Sequence, residues 1–347
     1  MLRWGILSTA RIGREQLVPA ILASENGTLE AVASRDLARA EAMAARYGIP
    51  RAHGSYEALI ADPGIDALYV PVPNDQHVSW AVKAVEAGKH VLVEKPLGLT
   101  ASAIEPLIAA RDRTGVTVAE GFMVTHHPQW RRVRALLAEG AVGRLVRVQA
   151  TFSFHNDDPD NTRNNTDQGG GALYDIGVYP TVATRYATGR EPARVLCEIE
   201  RDPRFGVDRT ASVWAAFEGG EGGAGAEPFR LEFYVSTQLA LEQRIAFHGP
   251  DGIIALDAPF NADVFATPTV TLWRRGRDEA SVWRFPDAQQ YRRQVEGFAR
   301  TVAGEARAGE EGGEERDEIF ALEDSVRNQR VIDACFRSGE SGAWETV

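Results

Sequence analysis

Three groups of residues in this sequence have the types and spacing that chemistry needs. Lys95 follows the apolar run "HVLV" in "VEKPLGLT". It should emerge at the carboxyl end of a sheet strand, over the crevice where ligands bind in open α/β sheets. A Glu94–Lys95 surface pair is not expected, because adjacent side chains on a strand point to opposite sides. Asp175 and Tyr179, in "GGGALYDIGVY", are four apart on a predicted helix and share one face. A phenol titrates near about 10 and needs a neighbouring cation to exchange a proton near neutrality. The third group is "WGILSTARIG", Trp4–Gly13, which reads as strand, turn and helix. Where a G-x-G-x-x-G fingerprint would stand, the chain has Ser8, Thr9, Ala10, Arg11, Ile12 and Gly13, keeping only the last glycine.

The elements that must position these groups alternate. From residue 1 to 121, strand patterns ("TLEAVAS", "ALYVPV", "HVLVE", "VTVAEG") interleave with helical ones, predicting a mostly parallel, doubly wound α/β sheet. Asp36 is placed to cap the second helix, Gly48 to stop it, and Thr100 to cap the helix before the last of these strands. After Gly121 the pattern changes. A helix in "PQWRRVRALLAEG", a long strand "RLVRVQATFSFH" and a helix from about Ala172 to Thr188 precede a series of alternating strands. Residues 122–347 are therefore expected to form an α+β domain with a large open antiparallel sheet. "EGGEGGAGAEP" reads as a hairpin connection, "GEARAGEEGGEERDE" as a charged loop, and the last helix is expected to pack at the domain boundary.

Bulk properties exclude several classes. The 347 residues suggest two domains. A net charge of -11 argues against a nucleic-acid partner, which needs a basic footprint. No apolar stretch is long enough to span a bilayer, and the short first apolar run is needed as a strand, not a signal peptide. Two cysteines far apart, Cys197 and Cys335, suit a reducing compartment, with cytoplasm as the expectation. His126, His127 and His155 lack ligand spacing, so no metal is expected. An antiparallel sheet covered on one side leaves the other face needing cover, so a homodimer or tetramer through the C-terminal sheet is expected. Trp214, Phe217, Phe233 and Val235 lie on strands that could supply that face.

The order of "STARIG", "PVPNDQH", "VEKPLGLT" and "GGGALYDIGVY" resembles the Gfo/Idh/MocA oxidoreductase family, from Leu2 to Val347. "EGFM" with "HPQ", "DDPDNTR" and the tyrosine after "DIGV" are most similar to the branch holding dihydrodiol dehydrogenase, NADP-dependent xylose dehydrogenase, anhydrofructose reductase and glucose-fructose oxidoreductase. The resemblance implies a cis Lys95-Pro96 bond and catalytic roles for Lys95, Asp175 and Tyr179, the last replaced by histidine in many members. It also implies cofactor contacts from Ser8 to Ile12, from Pro71, Asn74 and His77, and from Glu94 and Lys95. Either hydroxyl of Ser8 and Thr9 can donate to a phosphate oxygen. Asn74 or Asp75 could equally cap a helix. Met123 and Arg163 are candidates for substrate contact, and Val124-Thr125 departs from the aromatic residue and arginine common in the branch.

The cofactor expected is NADP, with NAD the alternative. An NAD enzyme places an acid at the end of the second strand, whereas a 2′-phosphate needs a cation and donors. Here Ser34 is followed by Arg35, which can stack on adenine or bind the phosphate, with Arg39 one turn on. The resemblance implies hydride transfer between nicotinamide and a C–OH or C=O carbon of a cyclic sugar. Tyr179 is the expected proton acceptor, tuned by Lys95, although Asp175 could take that role instead. A trans-dihydrodiol dehydrogenase, or a relative that senses NADP and sugar without catalysis, are the other readings.

Overall fold

The computed structural model describes residues 1–219, 227–262, 264–305 and 319–347. Most of "EGGEGGAGAEP" and "GEARAGEEGGEERDE" lies outside the described residues. The chain forms two compact units. One holds Met1–His126 with Gln289–Val326, the other His127–Ala288 with Arg327–Val347. A single cut at residue 121 thus describes only the first crossing, since a later segment returns to the first unit.

The first unit alternates β1 (Leu2–Leu7), α1 (Val18–Ala23), β2 (Gly27–Ala33), α2 (Leu37–Tyr47), β3 (Arg51–His53), α3 (Tyr56–Ile60), β4 (Ala67–Val70), α4 (His77–Glu86), β5 (His90–Val93), α5 (Glu105–Thr114) and β6 (Val118–Glu120). Its sheet runs β3-β2-β1-β4-β5-β6, all parallel. All four residues of β4 are inaccessible to solvent, as expected of a strand covered on both faces. Strand order reverses between β1 and β4, which puts the ligand crevice of such sheets at their carboxyl ends. Two of the expected caps are present: Asp36 Oδ1 accepts from Ala38 N–H at 3.0 Å and Gly48 is left-handed at φ 68°. Thr100 does not cap α5, whose N-cap is Ile104 without a side-chain bond; its Oγ1 accepts from Ala103 N–H in the 3-10 turn that leads into that helix.

The second unit begins with α6 (Pro128–Ala138), β7 (Arg147–His155), α7 (Val178–Thr188), β8 (Arg194–Arg201), β9 (Asp208–Phe217), β10 (Phe229–Ser236), β11 (Gln238–Gly249), β12 (Gly252–Leu256), β13 (Thr269–Arg274) and β14 (Ala280–Arg284). After α8 (Gln290–Val302), which belongs to the first unit, come α9 (Leu322–Ser341), divided between the units at Val326, and β15 (Glu345–Thr346). The nine-stranded sheet runs β14-β13-β12-β11-β7-β10-β9-β8-β15. It is mixed, not purely antiparallel as expected, because β10 pairs parallel with β7. The connection through α7 and the β8–β9–β10 meander brings β10 back beside β7 in the same direction. Alternation places Phe217, Phe233 and Val235 in the core, whereas Trp214 and Tyr234 are exposed.

Two helices start with a widened turn. π turns at Gly13–Leu17 and Leu173–Gly177 run directly into α1 and α7. Each helix has a proline near its start, Pro19 and Pro180. Proline has no N–H for the carbonyl four residues back, and its ring crowds that carbonyl. Those carbonyls belong to Glu15 and Ile176, inside the π turns, so the chain takes the wider turn.

Ser8 has φ 142°, a positive value that favours glycine. Its hydroxyl donates to Pro71 O at 3.0 Å and accepts from Ala10 N–H at 3.2 Å. A serine there supplies two hydrogen bonds that glycine lacks. Ser8→Ala keeps the unfavourable backbone and loses both bonds, so it should lower unfolding free energy by about 1–2 kcal/mol. Ser8→Gly relieves the backbone and should cost less than half of that. Urea unfolding of the three proteins checks the order; a glycine variant weaker than the alanine one would refute the account.

Candidate active site

In the first unit, the end of β5 presents Lys95 from a turn gripped on several sides. The Lys95-Pro96 bond is cis. Lys95 itself is half-buried, and its N–H donates to Glu94 Oε2 at 3.2 Å, while Tyr69 Oη donates to Glu94 Oε1 at 2.5 Å. His77, 1% exposed, places Nδ1 2.8 Å from Pro96 O. Burial pushes its pKa down to about 4, so the ring is neutral and Nδ1–H donates. This ring holds the turn from beneath. Leu97 N–H donates to Glu120 Oε1 at 2.7 Å. Burial pushes the Glu120 carboxyl up to about 7, against the hydrogen bonds from Ser325 and Leu97 that favour its ionised form.

At the carboxyl ends of β1 and β2 the features fit a dinucleotide. The helix opening at Arg11 begins directly after the Ser8 turn, and first-turn amides, which have no intrahelical acceptor, suit a pyrophosphate. The Ser8 proton is committed to Pro71 O, which leaves Thr9 as the hydroxyl for a phosphate oxygen. Thr9, Ala10 and Ile12 are half-buried, and exposed Arg11 pairs with Glu15 at 2.8 Å. Ser34 is 7% exposed and its Oγ accepts from Asp36 N–H. Arg35 is exposed and hydrogen-bonds the Tyr56 side chain. Asp36 is engaged as a cap and with Arg39 at 3.5 Å. Asn74 opens a 3-10 turn, and neither it nor Asp75 caps α4, whose N-cap is Gln76 without a side-chain bond. Met123 is 2% exposed. With its amide oriented as the hydrogen bonding requires, Gln294 of α8 accepts from Met123 N–H.

In the second unit, Asp175 lies in the π turn and Tyr179 at the start of α7. Tyr179 is 5% exposed, its ring packed against Phe152 and Phe260 with centroids 5.6 and 5.7 Å away. Arg163 Nε donates to Asp175 Oδ2 at 2.5 Å, and the guanidinium lies over Phe154. The glycine run makes this possible. A Cβ at Gly170 would come within 2.5 Å of Arg163 O, and one at Gly171 (φ 110°) would collide with the Asp208 carboxyl. Asp208 Oδ2 accepts from Leu173 N–H at 2.7 Å, anchoring the start of the helix. Burial pushes Asp208 up to about 7.

Sequence reasoning did not single out Glu120, Tyr56, Asp208 or α8. Glu120 and Asp208 are acids at strand ends, which pattern alone reads as solvated. For α8 the signal was present in Tyr291, Val295, Phe298 and Val302, and Phe298 packs on Trp4 at 5.2 Å. Among the described residues no group of three metal-ligating side chains occurs; His127 Nδ1 accepts from Gln129 N–H at the start of α6. Cys197 and Cys335, remote in sequence, are buried free thiols that hydrogen-bond each other. No described helix is long and apolar enough to cross a membrane.

Residues 2–122 match the model of an oxidoreductase family with an NAD-binding Rossmann fold, and residues 130–255 match the GFO/IDH/MocA C-terminal domain. The chain is 37% identical to D-xylose 1-dehydrogenase (NADP(+)) 2 of Haloferax volcanii, over 98% of both chains. KijD10, a 3-ketoreductase from Actinomadura kijaniata solved with NADP and TDP-benzene, superposes with a TM-score of 0.83 at 30% identity, over 97% of each chain. Aldose-aldose oxidoreductase from Caulobacter crescentus, complexed with glycerol, gives 0.85 at 25% identity, over 100% of this chain and 99% of that one. With a six-stranded nucleotide-binding sheet, a nine-stranded second sheet and these matches along its length, the chain belongs to the Gfo/Idh/MocA family of NAD(P)-dependent oxidoreductases.

Proposed function

We propose that this protein is an NADP-dependent oxidoreductase acting on a C–OH or C=O carbon of a cyclic sugar or related polyol. The observation that supports the reading is that each candidate side chain is held in its own unit, Lys95 on its gripped turn in the first and Tyr179 packed against Phe152 and Phe260 in the second. The sugar-acting relatives named above support the substrate class. When bound, NADP supplies the carbon to or from which hydride moves.

The chain's own residues handle binding and the proton. Amides of the helix opening at Arg11, with Thr9, hold pyrophosphate. Arg35, steadied by Tyr56, binds the 2′-phosphate, and Ser34 adds a donor. With Asp36 engaged as a cap, no acid is left at that strand end to prefer a ribose 2′-hydroxyl. Asn74 and Pro71 line the ribose side, and Met123 belongs to the substrate's surroundings. Tyr179 is assigned the proton of the reacting hydroxyl, and Lys95 the cation that a phenol needs to exchange a proton near neutrality. Asp175, paired with Arg163 at 2.5 Å, orients substrate. Its engagement with the guanidinium favours Tyr179 for proton transfer.

A cytoplasmic setting and a homo-oligomer complete the reading. The open sheet face carries a depression of about 440 Å³ lined by Gln149, Thr151, Ser212, Trp214, Glu232 and Tyr234. Exposed aromatic residues on a face of alternating polar ones suit a second copy of the same surface across a two-fold axis.

NADP is expected to bind at least tenfold tighter than NAD, about 1.4 kcal/mol, and Arg35→Ala should abolish that gap by weakening NADP alone. Titration with both cofactors checks this; equal affinities in the parent would sink the assignment. Turnover should be found on a panel of aldoses, keto-sugars and trans-diols. There Lys95→Met and Tyr179→Phe should each lower kcat by about 10² to 10⁴, with the double variant scarcely worse than either. If Tyr179→Phe keeps kcat while Asp175→Asn loses it, the carboxylate is the base. Sedimentation at micromolar concentration should show a dimer or tetramer that Trp214→Asp with Tyr234→Asp converts to monomer; a monomeric parent would refute the interface.

A further inference from the structure

Glu120 is the last residue of β6 and 4% exposed. Its carboxyl is wrapped by groups from each element packed on it. Leu97 N–H donates from the turn after β5 at 2.7 Å, and the Ser325 hydroxyl hydrogen-bonds it from the first turn of α9. Glu94 and Lys95, at the end of β5, supply the neighbouring charges. On the other side, His77 of α4 holds Pro96 O. The residues around Lys95 are therefore anchored: Glu94 by Tyr69, Pro96 by His77 and Leu97 by Glu120.

We infer that Glu120 is a positioning residue for Lys95, and that loss of its proton to solvent tightens the Lys95–Leu97 turn while placing a second negative charge beside the ammonium. An ionised carboxylate accepts from N–H and O–H donors roughly twice as strongly as a neutral acceptor. A negative neighbour also favours the charged form of a lysine. Burial carries the titration of Glu120 to about 7, and His77, with a pKa of about 4, stays neutral across this range. The inference rests on Lys95 taking part in the reaction, but its structural half does not.

Cofactor-free protein labelled with [¹⁵N]leucine reads the turn directly, with the Leu97 signal identified by its loss in Leu97→Met. Between pH 5 and 9 the Leu97 amide should shift with a midpoint near 7, and in Glu120→Gln, which keeps shape and an acceptor but not the charge, it should stay flat. A carboxyl whose folded pKa is raised stabilises the fold below its unfolded value, and that contribution is lost as pH rises through about 7. The melting temperature of the parent should therefore fall further between pH 5 and 8 than that of Glu120→Gln. Asp208, raised in the same direction, is common to both proteins and cancels in the comparison. With substrate, kcat/KM of the parent should rise about tenfold between pH 6 and 8, and Glu120→Gln should lack that step.

A Leu97 amide that does not titrate near 7 overturns the inference even if the variant fails to fold. So does a Glu120→Gln enzyme with the parent's pH profile. Full turnover by Lys95→Met would instead sink the catalytic reading, while the Leu97 titration would still be seen.

Discussion

The Ser8 hydroxyl, shared between Pro71 O and Ala10 N–H, ties together the tips of the two strands at which the parallel sheet reverses its order. A parallel sheet delivers all its carboxyl ends to one edge, but it does not fix the loops that leave them. Three of these loops are fixed by polar contacts of buried side chains. Ser8 secures the first, Ser34 with Asp36 the second, and Glu120 with His77 the turn that carries Lys95. Because these contacts lie where water is scarce, losing one partner leaves the other unsatisfied, which costs more than the bond itself contributes. The edge is stiff for that reason.

Much of this was legible in the sequence. Alternation of period 2 and period 3.6 located the parallel sheet, and Asp36 and Gly48 marked the two ends of one helix by their local chemistry. Lys95 could be placed at a strand end because "HVLV" admits few other readings. What could not be read was pairing at long range. Nothing local says that β10 lies parallel to β7, that Gln289–Val326 rejoins the first unit, or that Cys197 meets Cys335. Alternation also gives two faces without saying which is buried, and so Trp214 could not be separated from Phe233.

The second unit solves a different problem. Asp175 must sit at the opening of a helix close to a loop, and the helix start is itself buried. Asp208 reaches from β9 to take the Leu173 amide, and the glycine run makes room for it and for the backbone of Arg163. "GGGALYDIGVY" is therefore less a flexible phrase than a packed one. Gly170 and Gly171 are absent side chains, the first matched to the Arg163 carbonyl and the second to the Asp208 carboxylate.

The two widened turns at Gly13–Leu17 and Leu173–Gly177, with Pro19 and Pro180 behind them, bear on how such chains are compared. A π turn holds one residue more than the α turn it replaces. A related chain lacking either proline can close that turn by deleting one residue, and an alignment that opens the gap elsewhere would match Asp175 or Gly13 to the wrong neighbour. The prolines thus serve as register marks: where they are kept, residues on both sides can be equated by counting, and where they are missing, the count has to be checked against coordinates.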